Sequence, residues 1–300
     1  MKKLKVNFHI CEACNYHCKH CFAKFDCRKL LSAEEWIRIA DNVISSGLVG
    51  EINIAGGEPM LHKGLMEIAR HIRKRDVDVS LITNGHFMTP EWIRENAGVF
   101  KTIGLSIDTL DPERQKNLGR CDSKGGHLTP DQVGERIRLL RETNPNLRIK
   151  LNTVVSAVNR ADNLAEKVKA WKIDRWKIMK MQLFENGEFS NRCITIHETD
   201  YSRYVRRALK EFGLSYREAD SMVYDAGGME IVAEKVLRAS YIMVDAKGWL
   251  VDDSRNDSYT MISDCLTEPF ADGYSRLPLN RENYMKRYEE ALQDPRLQAG

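Results

Sequence analysis

The sequence predicts an α/β chain, an incomplete (β/α)6 TIM-like barrel followed by a C-terminal extension. Three observations support this. Runs rich in β-formers alternate with helical patterns six times before Asn186, an order that implies parallel strands joined by right-handed crossovers, doubly wound or curled into a barrel. At 300 residues the chain exceeds one ordinary domain but suits a single α/β barrel with an addition. With 42% hydrophobic and 30% charged residues and only 8 prolines, the composition excludes a disordered or fibrous protein.

The expected strands are Lys5–Ile10, Glu51–Ala55, Val77–Asn84, Thr102–Asp108, Leu147–Val155 and Arg175–Phe184. The first helix opens at Ser32-Ala-Glu-Glu35, where the serine hydroxyl and the glutamate carboxylate can each satisfy an orphan N–H, and it closes near Gly47. Gly64–Arg75, Pro90–Asn96 after Thr89, Pro130–Glu142 after Thr129, and Asp162–Trp171 follow as helices between strands. From Asn186 the alternation breaks. Glu198–Phe212 and Gly228–Ala239 read as helices, Tyr241–Val244 and Trp249–Val251 as a hairpin around Ala246-Lys247-Gly248, and Arg281–Gln293 as a last helix. Residues 1–185 are thus expected to form the barrel, and 186–300 an extension covering it and the substrate site.

Lys plus Arg (46) against Asp plus Glu (43) leaves a net charge of +3, too small a field to recruit nucleic acid or an anionic membrane, so an anionic partner must be recognised locally. No apolar run approaches the ~20 residues of a spanning helix, and no secretory signal pattern opens the chain. The expectation is a cytoplasmic monomer with no membrane or nucleic-acid partner.

Five of the 8 cysteines (Cys11, Cys14, Cys18, Cys21, Cys27) fall within seventeen residues. Cys14-Asn-Tyr-His-Cys18-Lys-His-Cys21 has C-x3-C-x2-C spacing on a loop after the first strand. Three thiolates on one tight loop can hold three irons of a [4Fe–4S] cluster and leave the fourth open. A structural zinc site is the alternative, although zinc sites usually pair C-x2-C knuckles and no second knuckle follows. Cys11 and Cys27 do not fit the spacing and read as structural or incidental.

Cys21-Phe22 resembles the cysteine loop of the radical S-adenosylmethionine (SAM) superfamily. Ala55-Gly56-Gly57-Glu58-Pro59 resembles that superfamily's glycine-rich motif, and Thr83-Asn84-Gly85 and Ser106-Ile107-Asp108 stand where it places further SAM contacts. Each alone is an ordinary turn or cap; four in order at strand C-termini, where α/β barrels build their sites, form a pattern. The resemblance implies that SAM chelates the open iron. It also implies that Gly56 and Gly57 let backbone approach the methionine moiety, that Glu58 lies near its amino group, and that Phe22, Asn84, Ser106 and Arg120 contact the rest of SAM.

A period of two places Lys150 and Asn152 on one face of the fifth strand, and Arg175 and Lys177 with Met179 and Met181 on one face of the sixth. If these faces point inward, the cations require an anion, and a polyphosphate suits them. Periodicity is equally served by the reverse, with Ile149, Leu151, Trp176 and Ile178 inside. Val6-Asn7-Phe8-His9, the Lys150-to-Asn152 strand, Asp174-Arg175-Trp176-Lys177 and Ser240-Tyr241-Ile-Met-Val-Asp245 together resemble the viperin family. That resemblance implies dehydration of a ribonucleoside triphosphate (CTP, UTP or GTP) to its 3′-deoxy-3′,4′-didehydro form by abstraction of the ribose 4′ hydrogen, in antiviral defence. It further implies an electron donor such as a flavodoxin or ferredoxin. Lys150, Arg175 and Lys177 would hold the triphosphate, Asn152 a phosphate or sugar oxygen, Asn7 the base or ribose, and Tyr241 would serve as hydrogen or proton donor. Glu51 and Asp253 depart from the animal members. A peptide or protein maturase of the same superfamily and a non-catalytic metal-stabilised module are the competing readings. His9 reads as a core or capping histidine.

Overall fold

In the computed structural model, residues 3–23, 30–185, 189–255 and 257–289 are described. Six strands, β1 (Leu4–His9), β2 (Val49–Ala55), β3 (Asp78–Thr83), β4 (Thr102–Ser106), β5 (Arg148–Val155) and β6 (Arg175–Lys180), pair in parallel and in sequence order. Between them run α1 (Ala33–Ser45), α2 (Leu65–Lys74), α3 (Pro90–Asn96), α4 (Pro112–Leu118), α5 (Pro130–Thr143) and α6 (Ala165–Trp171). The capping box at Ser32 and Glu35 is formed, and Thr89 and Thr129 cap the helices that start at Pro90 and Pro130. Helix α4, absent from the sequence reading, is a two-turn segment too short for apolar periodicity. Asp111, Pro112 and the left-handed Gly119 nevertheless mark both its ends.

The alternation of β-strand side chains resolves the ambiguity left by periodicity. Val6, Phe8, Ile52, Ile54, Val79, Leu81, Ile103, Leu105, Ile149, Leu151, Trp176 and Ile178 pack into the main apolar core. The opposite face carries Lys5, Asn7, His9, Asn53, Lys150, Asn152, Arg175 and Lys177 around a cavity. The Trp176 indole N–H is satisfied by the Thr153 hydroxyl at 3.0 Å, so this face can be wholly buried. Strand β6 stops at Lys180, so Met181 leaves the expected face and joins the core, while Met179 lines the cavity.

The extension contributes α7 (Glu198–Lys210), β7 (Ser221–Asp225), β8 (Glu230–Glu234), β9 (Met243–Val244), β10 (Trp249–Asp252), β11 (Thr260–Asp264), α8 (Phe270–Arg276) and α9 (Arg281–Glu289). The expected helix over Gly228–Ala239 is not formed. Gly227 and Gly228 take positive φ and turn the chain, and Ile231, Val232 and Ala233 then enter the sheet as buried residues of β8, antiparallel to β7 and parallel to β6. The expected hairpin is present, with Gly248 in the left-handed region between β9 and β10, and β9 pairs in parallel with β1. Strands from the extension thus flank the barrel strands on both sides, in the order β11-β10-β9-β1-β2-β3-β4-β5-β6-β8-β7. The later part of the expected last helix, and Cys27, lie outside the described residues.

Candidate active site

A cavity of about 540 Å³ runs along the polar face of the strands, within the range of small-molecule sites. Cys14, Cys18, Cys21 and Phe22 line one part of it, and Lys150, Asn152, Arg175, Lys177 and Tyr241 another. One space therefore joins the two groups of residues singled out in the sequence.

The cysteine loop is held by backbone on two sides. Gly57 N–H donates to the Cys11 carbonyl at 2.7 Å, and Glu58 N–H to the Ala13 carbonyl at 2.8 Å. Across the loop, His17 N–H bonds the Gly119 carbonyl and Lys19 N–H the Leu118 carbonyl, each at 2.9 Å. A Cβ on Gly56 would lie 2.6 Å from the Cys11 carbonyl oxygen, and one on Gly57 only 2.2 Å from that of Glu12. These glycines are thus required for the loop to pack on β2, a closer constraint than the expected access for a ligand, although both also line the cavity.

The three thiols of the C-x3-C-x2-C loop all face the cavity. Burial pushes Cys18 up to about 12 and Cys14 upward, so they are thiols until a metal compensates their charge. Among the described residues no three His, Cys, Asp or Glu side chains converge on a single metal ion. Three cysteines of one loop facing one cavity are the donor set for a cluster in which each thiolate takes a different iron. Cys11 turns away instead, its Sγ donating to the Glu58 carbonyl at 3.3 Å.

Arg120, 6% exposed, ties this end together. It pairs with Asp108 at 3.0 Å, donates to the Ser106 carbonyl and to Cys18 Sγ at 3.7 Å, and lies 5.7 Å from the Tyr16 ring centroid. Asp108 also meets His20 of the cysteine loop at 3.2 Å and accepts from Val154 N–H at 2.7 Å. Burial alone would raise the Asp108 carboxyl, but Arg120 and His20 outweigh it and hold the group down at about 2. Ser106 and Asn84 line the cavity. Glu58 is placed differently from the expectation. It is fully buried, does not line the cavity, and accepts from Thr83 Oγ1 (2.7 Å), Asn84 N–H (2.8 Å) and Met60 N–H (3.1 Å), so it joins the turns after β2 and β3.

At the other end, the cations are only partly neutralised. Glu230 pairs with both Arg148 and Arg175, and Glu234 with Lys177 at 2.6 Å. Glu51, one of the two departures noted in the sequence, binds Lys5 and Ser80. Its carboxyl, which burial alone would raise, is held below the usual range by Lys5. Lys150 makes no hydrogen bond or ion pair among the described residues. Burial first, and then Lys177 and Arg175, push it well below an ordinary lysine. Asn152 Oδ1 is buried without a hydrogen-bond partner, so two neighbouring polar groups are left for a ligand to satisfy. Asn7 is engaged internally, accepting from Asn53 Nδ2 at 2.9 Å and donating to the Ile242 carbonyl at 3.2 Å, yet it lines the cavity. Asp253 caps Ala239 N–H at the cavity edge. His9 is buried, and burial lowers its ring to about 4, which keeps it neutral.

Sequence reasoning missed Tyr16, His20, Asn53, Arg148, Glu230 and Glu234. His20 and Tyr16 lie inside the cysteine motif and could have been suspected; Glu230 and Glu234 were hidden by the misassigned helix.

The sequence matches the Radical SAM superfamily over residues 8–155. An S-adenosylmethionine-dependent nucleotide dehydratase of Selenomonas ruminantium is 36% identical over 95% of this chain and 98% of its own length. One from Psychrobacter lutiphocae is 28% identical over 97% and 96%. Among solved structures, Streptococcus suis SuiB bound to precursor peptide SuiA superposes with a TM-score of 0.67 at 15% identity, over 94% of this chain and 66% of that one. The enzyme anSMEcpe with bound AdoMet and Kp18Cys peptide superposes with a TM-score of 0.66 at 15% identity, over 99% and 88%. At such identity these structures speak to the fold alone. No helix among the described residues is long and apolar enough to cross a membrane.

Proposed function

The chain belongs to the S-adenosylmethionine-dependent nucleotide dehydratases, radical SAM enzymes that use a [4Fe–4S] cluster and SAM, and from that membership we propose that it dehydrates a ribonucleoside triphosphate, CTP, UTP or GTP, to the 3′-deoxy-3′,4′-didehydro analogue. The observation that carries this reading is the pairing, in one cavity, of the three-thiol loop with a basic wall in which the Lys150 amine and Asn152 Oδ1 have no hydrogen-bond partner among the described residues.

Cys14, Cys18 and Cys21 would hold the cluster, with Phe22, the Gly56-Gly57 backbone, Asn84, Ser106 and Arg120 around SAM. Glu58 serves this part by fixing the turn that carries Asn84. When bound, the cluster and SAM would together supply the one-electron reduction and the hydrogen-atom abstraction that the reaction needs at ribose C4′. Lys150, Arg175 and Lys177, with Arg148 beside them, would neutralise the phosphates, Asn152 and Asn7 would orient the sugar and base, and Tyr241 would face the reacting ribose. The 3′ hydroxyl leaves as water with one added proton, and one further electron completes the double bond. Residues 1–185 would form the catalytic barrel and 186–300 the extension that supplies Tyr241 and both carboxylates behind the cations. The reading includes a one-electron donor of the flavodoxin or ferredoxin class, a monomer in the cytoplasm, and a product that terminates viral polymerases.

The test is anaerobic incubation of cluster-loaded protein with SAM, a strong reductant and CTP, UTP or GTP in separate reactions. A product lighter than its substrate by one water is expected with at least one of them. Formation of 5′-deoxyadenosine alone in every reaction overturns the proposal, and a peptide substrate would then be the next to try.

A further inference from the structure

Tyr241, Lys177 and Glu234 form a row from the cavity wall into the protein. Lys177 Nζ donates to the Tyr241 hydroxyl oxygen at 3.2 Å, sits 5.5 Å from that ring's centroid, and pairs with Glu234 at 2.6 Å. Tyr241 and Lys177 line the cavity, whereas Glu234 does not reach it and is wholly buried. The register of the sheet makes the pair. Glu234 ends β8 opposite Met179 of β6, two residues beyond Lys177 on the same face.

The carboxylate behind Lys177 cancels part of the charge a phosphate clamp would offer and, unlike Glu230, is wholly buried and so costly to place there. The arrangement instead suits a proton path. Lys177 stands among cations that oppose its protonated form: Arg175 on its own strand, itself paired with Glu230, and Lys150 on β5, on which Lys5 of β1 also acts. Glu234 supplies the opposing charge, Tyr201 of α7 lies behind that carboxylate, and Tyr241 faces the ammonium from the extension. Because an ammonium only donates, the phenol oxygen is the acceptor in this bond, and the phenol's own proton is the one it can give away.

We infer that Glu234 is a positioning residue that holds Lys177 as the ammonium that reprotonates Tyr241, so that the Tyr241 hydroxyl delivers the proton with which the ribose 3′ oxygen departs as water. This inference rests on the nucleotide-dehydratase reading above. In the step, the C3′–O bond breaks with its electron pair on oxygen, the Tyr241 O–H bond breaks, and the proton joins the departing hydroxide. The phenolate then takes a proton from Lys177 Nζ, and solvent restores the lysine. The electron that completes the C3′–C4′ double bond comes from the external one-electron donor, and Tyr241 is neither oxidised nor reduced.

The experiment compares wild type, Glu234→Gln, Glu234→Asp and Tyr241→Phe as cluster-loaded enzymes with SAM, reductant and each of CTP, UTP and GTP. Dehydrated product and 5′-deoxyadenosine are followed against pH. Without the carboxylate the lysine loses its proton at lower pH, so the alkaline limb of kcat moves to lower pH in Glu234→Gln and returns toward wild type in Glu234→Asp, while nucleotide KM changes less than kcat. Tyr241→Phe loses product by ~10²-fold or more, as removal of a general acid does, while 5′-deoxyadenosine continues to form. An unmoved alkaline limb in Glu234→Gln, or a raised KM with kcat retained, overturns the relay and leaves Lys177 as a phosphate clamp. If Glu234→Gln does not fold, wild-type product yield in Tyr241→Phe overturns it equally. A wild-type enzyme that dehydrates no nucleotide overturns this inference together with the function it rests on, whereas an active wild type with unresponsive variants overturns the relay alone.

Discussion

Gly57→Ala tests whether the cysteine loop is built by backbone contact with β2. The added Cβ would lie 2.2 Å from the Glu12 carbonyl oxygen and 2.4 Å from that of Ala13. Both obstacles are backbone atoms, so no rotamer change relieves them and the loop must retreat. Retreat stretches the 2.7 Å Gly57-to-Cys11 and 2.8 Å Glu58-to-Ala13 hydrogen bonds, each worth ~1 kcal/mol net. Overpacking adds ~1–3 kcal/mol. A total of ~3–5 kcal/mol at ~2–4 °C per kcal/mol lowers Tm by ~6–20 °C. The displaced segment leads directly into Cys14, so iron and sulfide content after anaerobic reconstitution should fall as well. Gly98→Ala is the control, because its Cβ would meet nothing within 4 Å and its backbone needs no positive φ. Gly57→Ala protein with wild-type iron content and wild-type Tm would refute the packing argument.

Cys11→Ala should load iron like wild type, because its thiol faces the Glu58 carbonyl and not the cavity, whereas Cys14→Ala, Cys18→Ala and Cys21→Ala should each lose the cluster's spin-resonance signal; iron loss in Cys11→Ala would make it a ligand. Lys150→Ala should weaken nucleotide binding by about 10- to 100-fold, the worth of a charged hydrogen bond, while reductive SAM cleavage continues; equilibrium binding that does not change would remove Lys150 from the phosphate wall. Asp108 has a folded value of about 2, depressed from its unfolded value near 3.8. Its contribution, about 2 kcal/mol, is therefore complete above the unfolded value and is lost as pH falls through the folded one. In denaturant titrations of the metal-free chain, the stability gap between wild type and Asp108→Asn should be widest near neutral pH and narrow below pH 4; a gap independent of pH would contradict the ion-pair account.

The parallel core was legible because each of its strands carries apolar residues at alternate positions between helical segments, and caps such as Ser32 with Glu35 act through neighbours three residues apart. The segment after Gly228 was not, because Ile231, Val232 and Ala233 form an apolar run of a length that suits either a helix or a strand, and pairing with β6 decides between them. Glu58 stands in the expected motif, yet its three hydrogen-bond partners come from two separate turns, which no local pattern reveals.

What the sequence alone determined was the chemistry that depends on spacing: three cysteines within one loop, a glycine-rich turn after the second strand, and polar residues two apart, Lys150 with Asn152 on β5 and Arg175 with Lys177 on β6. Local geometry sets those distances whatever the rest of the chain does. Only the tertiary structure decided which strand faces are inside, that Glu230 and Glu234 stand behind the cations, and that Asp108 links the cysteine loop to Arg120. These pairings join residues tens to hundreds of positions apart through sheet register, and a register is chosen by burying a whole apolar face at once, which is a property of the assembled layers and not of any one segment.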